Sequence, residues 1–174
     1  TTKPVLLSHS SVWNICPVFR NVKDDQLRAL AKNGGVICIN FYSGFISKPY
    51  HERSEWLSGP GRKAIQDSLF SITKDSAEMR KKWREYFRAE LSKVRPTIDD
   101  LVDHIDYVVK LIGDDYVGIG ADYDGVSSLP LGMEDVTTYP KITEALLKRG
   151  YSKKSVKKIL GGNVMRVIEA NFGN

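Results

Sequence analysis

With 174 residues and a formal net charge of +5, the chain is long enough for one domain with its own core and is only mildly basic. Hydrophobic residues at 41% and charged residues at 27% exclude disorder of the whole chain. No apolar run reaches the ~18 residues needed to span a bilayer, and the opening Thr1-Thr2-Lys3-Pro4 lacks a charged-then-apolar signal pattern. Basic residues gather at Arg80-Lys81-Lys82 and over 148–158, where they read as solvated helix faces. Without a Gly-aromatic RNA-binding motif or a Cys/His finger spacing, nucleic acid is not an expected partner.

Taken in chain order, 4–9 reads as a buried strand, a short apolar run that ends in Ser8-His9. The segment 24–33 reads as a helix with Leu27, Leu30 and Ala31 on one face, stopped by Asn33-Gly34-Gly35. A second strand is expected over 36–41. Cys38 lies inside it as a small hydrophobe, and Cys16 and Cys38 have no metal-pair spacing. From 43 to 95 the pattern is irregular. Gly44, Pro49, Gly59 and Pro60 suggest loop in its first part, and 76–92 suggests a helix whose stripe Met79, Trp83, Phe87 and Leu91 packs inward. The stretch 48–95 reads as an insertion over the fold, with His51 solvated.

The strongest helix signal is 97–112. Thr97 can cap it, Asp99 and Asp100 suit its first turn, and Leu101, Ile105, Val108, Val109 and Ile112 make its buried face. His104 on this helix reads as a hydrogen-bonded packing histidine. The third strand, 116–120, runs into Ala121-Asp122-Tyr123-Asp124-Gly125, where Asp124 reads as shaping the turn with Gly125. Helices close the chain, with Pro140 at a first helical position, Gly150 as a stop, Ser152 as a cap and Asn163 opening the last.

This alternation of strands and helices predicts an α/β fold with parallel strands and crossover helices. Chemistry in such folds sits at the C-terminal ends of the strands. Here those ends carry Ser8-His9-Ser10-Ser11, then Asn40 and Tyr42, then Asp122 and Asp124.

Several motifs in order resemble the membrane (renal) dipeptidase family. They are Ser8-His9-Ser10-Ser11; Arg20-Asn21-Val22 followed by Asp24-Asp25; 117–126, which holds Gly120-Ala121-Asp122-Tyr123-Asp124-Gly125; Gly132-Met133-Glu134-Asp135; Tyr139-Pro140; and Gly162-Asn163-Val164-Met165-Arg166-Val167. The resemblance implies that residues 1–174 form the C-terminal portion of one (β/α)8 TIM-type barrel domain, about three strands plus helices, with a helical insertion at about 48–95. It implies hydrolysis of dipeptides by a hydroxide bridging two zinc ions. His9 matches the last histidine of the metal set. Arg20 matches the arginine that takes the substrate's free carboxylate, a role suited to a guanidinium fork; on the residues alone it could instead pair with Asp24 or Asp25. Asp122 matches the aspartate that faces the scissile peptide and the substrate amine, and so passes a proton. Asn40 and Tyr42 are expected along the substrate pocket. Phe45 stands where some relatives have a tyrosine, and Cys16 lacks the disulfide partner of mammalian-type relatives.

The His-x-Asp pair, the bridging glutamate and the other metal histidine of the family have no counterpart here, and one histidine cannot hold two zinc ions. The expected partners are therefore an N-terminal portion of the same enzyme, a dipeptide substrate and a second copy of the complete enzyme. The alternative is a non-catalytic binding or scaffold relative with an incomplete metal site. Bacterial cytoplasm and periplasm both fit the sequence.

Overall fold

The computed structural model describes residues 1–173, apart from the Phe70 side chain. Three strands, β1 (Leu6–Ser10), β2 (Val36–Ile39) and β3 (Val117–Ile119), form a parallel sheet in the order β1-β2-β3. Helix α1 (Asp24–Asn33) crosses from β1 to β2. The connection from β2 to β3 carries α2 (Ser43–Ile46), α3 (Lys48–Ser58), α4 (Pro60–Phe70), α5 (Ser76–Ser92) and α6 (Ile98–Ile112). After β3 come a 3-10 turn (Val136–Thr138), α7 (Pro140–Lys148), α8 (Lys153–Lys157), a π-helical turn (Lys158–Gly162) and α9 (Asn163–Phe172). Among the described residues, no helix is long and apolar enough to cross a membrane.

β2 explains the sheet. All four of its residues are buried, because a central parallel strand is covered on both faces. Ile37 and Ile39 point into the main core, with Leu27 and Leu30 of α1 and Leu101, Ile105 and Val108 of α6. Val36 and Cys38 point the other way, against Val164 and Val167 of α9. Each such side chain, fully buried, contributes about 1.5–3 kcal/mol. α6 supplies the predicted apolar face, and its start is fixed by a capping box in which the Thr97 N–H donates to Asp100 Oδ2 at 2.7 Å. A cap of this kind stabilises by about 1 kcal/mol.

The first part of 43–95 is helical rather than loop-like, as α2, α3 and α4 show. Pro49 and Pro60 fall in the first turns of α3 and α4, where a missing N–H costs nothing, so these prolines begin helices instead of breaking one. Ser47 caps α3 by accepting the Tyr50 N–H at 3.3 Å. The segment has an apolar cluster of its own, in which Trp83, Phe87 and Leu91 of α5 meet Tyr50 and Leu57 of α3. An Arg53–Glu90 ion pair clamps α3 to α5. His51, expected in solvent, is half-buried on α3.

His104 on α6 is fully buried and ties two loops to the core. Its Nδ1 accepts the Val12 N–H at 3.0 Å, so its Nε2 carries the proton and donates to the Ile46 carbonyl at 3.0 Å. This arrangement needs the neutral ring. Burial accordingly pushes His104 down to about 4, well below the ordinary value of 6.5. The group's folded value lies below its unfolded one, so its contribution is complete above about pH 6.5 and is lost as the pH falls toward 4. The loss amounts to about 3 kcal/mol. The urea midpoint should therefore fall more steeply between pH 7 and pH 4 for the native chain than for a His104→Gln variant; identical slopes would show that His104 does not link folding to protons.

Candidate active site

Parallel register brings the three strand ends together. Ser10 lies opposite Ile39, and Ile39 opposite Ile119, so the residues after each strand emerge at one edge of the sheet. β1 reaches that edge through a register shift between Leu7 and Ser10, which places Ser8 and His9 in a bulge. Bulges re-aim side chains and recur beside functional sites. His9 is half-buried there, and its Nδ1 lies 2.7 Å from Ser8 Oγ.

The bulge depends on a glycine in β3's continuation. A Cβ on Gly120 would lie 2.1 Å from the Ser8 carbonyl oxygen and 2.9 Å from Cys38 Cβ. Only a bare α-carbon lets the bulged carbonyl approach.

Asp122, two residues later, has φ 58 and is the one non-glycine residue with positive φ among the described residues. That conformation costs an ordinary L-residue about 1 kcal/mol, less for Asp, and such residues gather at functional sites. The turn closes as the Gly125 N–H donates to the Asp122 carbonyl at 3.0 Å. Asp122 and Gly125 thus bound this turn, and Asp124 lies inside it as expected. The Asp122 carboxylate is exposed, and its Oδ2 accepts from Asn40 Nδ2 at 3.3 Å. Asn40 is fully buried, and its Oδ1 accepts the Tyr42 N–H at 2.5 Å. Tyr42 packs edge-on against Phe45, with ring centroids 4.9 Å apart.

Arg20 is exposed on the loop after β1, its guanidinium 6.0 Å from the Phe45 ring. It pairs with neither Asp24 nor Asp25. The Asp24 carboxylate is already engaged, by Asn14 Nδ2 at 2.9 Å and by the Tyr107 hydroxyl at 2.9 Å. Arg20 therefore has no carboxylate partner among the described residues.

The predicted site residues fall into two groups. His9 and Arg20 line one open hollow of about 420 Å³ with Phe19. Asn40, Tyr42 and Asp122 form a hydrogen-bonded set. Phe45 touches both, through Arg20 and through Tyr42. Cys16 and Cys38 are buried free thiols pushed up to about 11 and about 12 by burial, so neither serves as a nucleophile near neutral pH. Sequence reasoning did not single out Gly120; the signal available was a glycine directly after a strand, a mark of close backbone approach.

Metal binding is limited by the donor set. Imidazole is a natural zinc ligand, yet among the described residues no three His, Cys, Asp or Glu side chains come together as a metal site. A zinc pair does not fit the residues of this chain alone.

A parallel sheet with a bulged histidine, an arginine without a carboxylate partner among the described residues and a constrained aspartate toward its C-terminal edge defines an α/β protein with polar residues gathered at the strand ends. The chain belongs to the membrane dipeptidase family (peptidase family M19), whose model matches residues 1–172. Dipeptidase aclJ of Aspergillus oryzae is 34% identical over 97% of this chain, which spans 30% of that protein. The crystal structure of the probable dipeptidase PvdM from Pseudomonas aeruginosa is 26% identical, with a TM-score of 0.72 over 98% of this chain and 45% of that one. The fold is shared as well by a metallo peptidase of Rhodobacter sphaeroides liganded with a phosphinate mimic of the dipeptide L-Ala-D-Ala, at 20% identity and a TM-score of 0.69 over 98% of this chain and 37% of that one.

Replacing Gly120 with Ala should destabilise the chain by about 1–3 kcal/mol, because the clash is with backbone and not with a flexible side chain. The check is the urea midpoint; an unchanged midpoint would mean that the Ser8 bulge does not rest on Gly120.

Proposed function

We propose that this chain supplies the substrate-binding and proton-transfer side of a zinc dipeptidase barrel, active together with an N-terminal portion that completes the sheet and the metal set. The observation that carries the reading is Asp122, held in a left-handed turn at the same sheet edge as His9, in a chain of the membrane dipeptidase family. The sheet supports the need for a completing portion. β1 is paired only with β2, and so is β3, leaving an outer edge of each open among the described residues. Leu6 and Phe19 are exposed beside the open edge of β1. Open edges of this kind take further strands.

In this reading Arg20 binds the free carboxylate of a dipeptide by a two-pronged charged hydrogen bond, which selects short substrates. The lack of a carboxylate partner among the described residues leaves the guanidinium's N–H groups available. Asp122 stands over the scissile peptide, takes a proton from the attacking water and delivers it to the leaving nitrogen, restoring its own carboxylate. His9 contributes one donor to a metal set that the N-terminal portion completes. Bound zinc in such sites supplies Lewis-acid chemistry.

An Arg20→Ala variant of the complete enzyme should raise KM for a dipeptide by about 10- to 100-fold, as expected for a lost charged hydrogen bond. An unchanged KM would remove Arg20 from the pocket. An Asp122→Asn variant should lower kcat by about 10²–10⁴-fold in steady-state assays; a rate within a few-fold of the native enzyme would leave Asp122 without a proton-transfer role.

The alternative is a binding relative without catalysis, in which the completing portion does not supply the remaining metal donors. Zinc titration of the complete protein separates the two. More than one zinc per chain supports the dipeptidase, and one or none supports the binding relative.

A further inference from the structure

We infer that Asn40 is a positioning residue for Asp122 and makes no contact with substrate. The inference rests on the proton-transfer role proposed for Asp122 and adds the part that aims it.

The orientation of the Asn40 amide is determined by its partners. The Tyr42 N–H can only donate, so the atom it meets at 2.5 Å must be Asn40 Oδ1. The other end, facing Asp122 Oδ2 at 3.3 Å, is then Nδ2, a donor toward a carboxylate. Asn40 is 0% exposed, so a substrate cannot reach its amide. This changes the expectation that Asn40 lines the pocket: it acts one layer behind the surface.

Asp122 is constrained on two more sides. Its left-handed turn is closed by the Gly125 N–H at 3.0 Å. A Cβ on Gly125 would lie 2.2 Å from Asp122 Oδ1, so the carboxylate occupies space that only glycine leaves open. The exposed carboxylate is thus set between a buried amide and a bare α-carbon. Because Asn40 directly follows β2, the hydrogen bond ties the reacting group of one strand end to the central strand of the sheet. A carboxylate on an exposed turn would otherwise sample several rotamers, and misplacement by about 1 Å is enough to cost about 100-fold in rate.

The test uses two variants of the complete enzyme. Asn40→Asp keeps the side-chain shape and the acceptor for the Tyr42 N–H, and sets a carboxyl group in place of the amide donor, so that it and Asp122 hold one proton between them and Asp122 is no longer a free carboxylate. Gly125→Ala leaves Asn40 intact, lies on an exposed turn where folding is not at risk, and crowds Asp122 from the opposite side. Both should lower kcat for a dipeptide by about 10- to 100-fold while KM stays within about threefold. A raised KM with kcat preserved in Asn40→Asp would overturn the inference, because Asn40 would then be touching substrate; unchanged kcat and KM in both variants would overturn it too. The side-chain carboxyl carbon shift of Asp122, which reports its hydrogen bonding, gives a readout independent of activity. It should move in Asn40→Asp, and an unchanged shift would overturn the inference. If the native enzyme hydrolyses no dipeptide, the proposed function fails, while the chemical shift still decides what Asn40 does.

Discussion

β2 is hydrogen-bonded along both edges, to β1 through Leu6↔Val36 and Leu7↔Ile37 and to β3 through Ile37↔Val117, Cys38↔Gly118 and Ile39↔Ile119. It is the only strand of the sheet so held, and its residues are buried on both faces. The other features of the site take their places from it. β1 can bulge at Ser8 and His9 because Cys38 and Ile39 hold the reference register. Asn40, the first residue past β2, inherits the same rigidity and passes it to Asp122.

The helices around the sheet work as supports for the loops at that edge. His104 of α6 bonds to Val12, on the loop that leads from His9 to Arg20, and to Ile46, just after Tyr42 and Phe45. The loop after β3 is pinned from two sides. Arg95 donates to the Leu129 and Pro130 carbonyls at 2.6 and 3.3 Å, and the Ser43 N–H donates to the Ser128 carbonyl at 3.0 Å. On the opposite face of α6 from the sheet, Arg149 gathers Asp99, Asp103 and Asp106 and fixes the C-terminal end of α7. Elements distant in sequence thereby share in placing a few side chains at the strand ends.

The α2–α5 region shows how punctuation residues mislead. Glycine and proline within a short span suggested loop, yet Pro49 and Pro60 each occupy a first helical turn. The apolar stripe of α5 was visible from its spacing, but its partners Tyr50 and Leu57 lie in a helix that the spacing did not reveal. A stripe shows that a face is buried; it does not show against what.

The sequence by itself determined the three strands and their order along the chain, the buried face and cap of α6, the packing role of His104, and the polar residues that follow each strand. Those signals are local: short apolar runs, a 3.6-residue period, a cap three residues from its partner. It could not decide which of those residues meet, because contacts between strand ends depend on register and on backbone conformation. Only the tertiary structure showed that Ser8 and His9 bulge against Gly120, that Asp122 takes up a left-handed conformation, and that Asn40 lies buried behind Asp122. The bulge and the Asn40–Asp122 contact rest on close approaches between segments tens of residues apart, set by the hydrogen-bond ladder of β2.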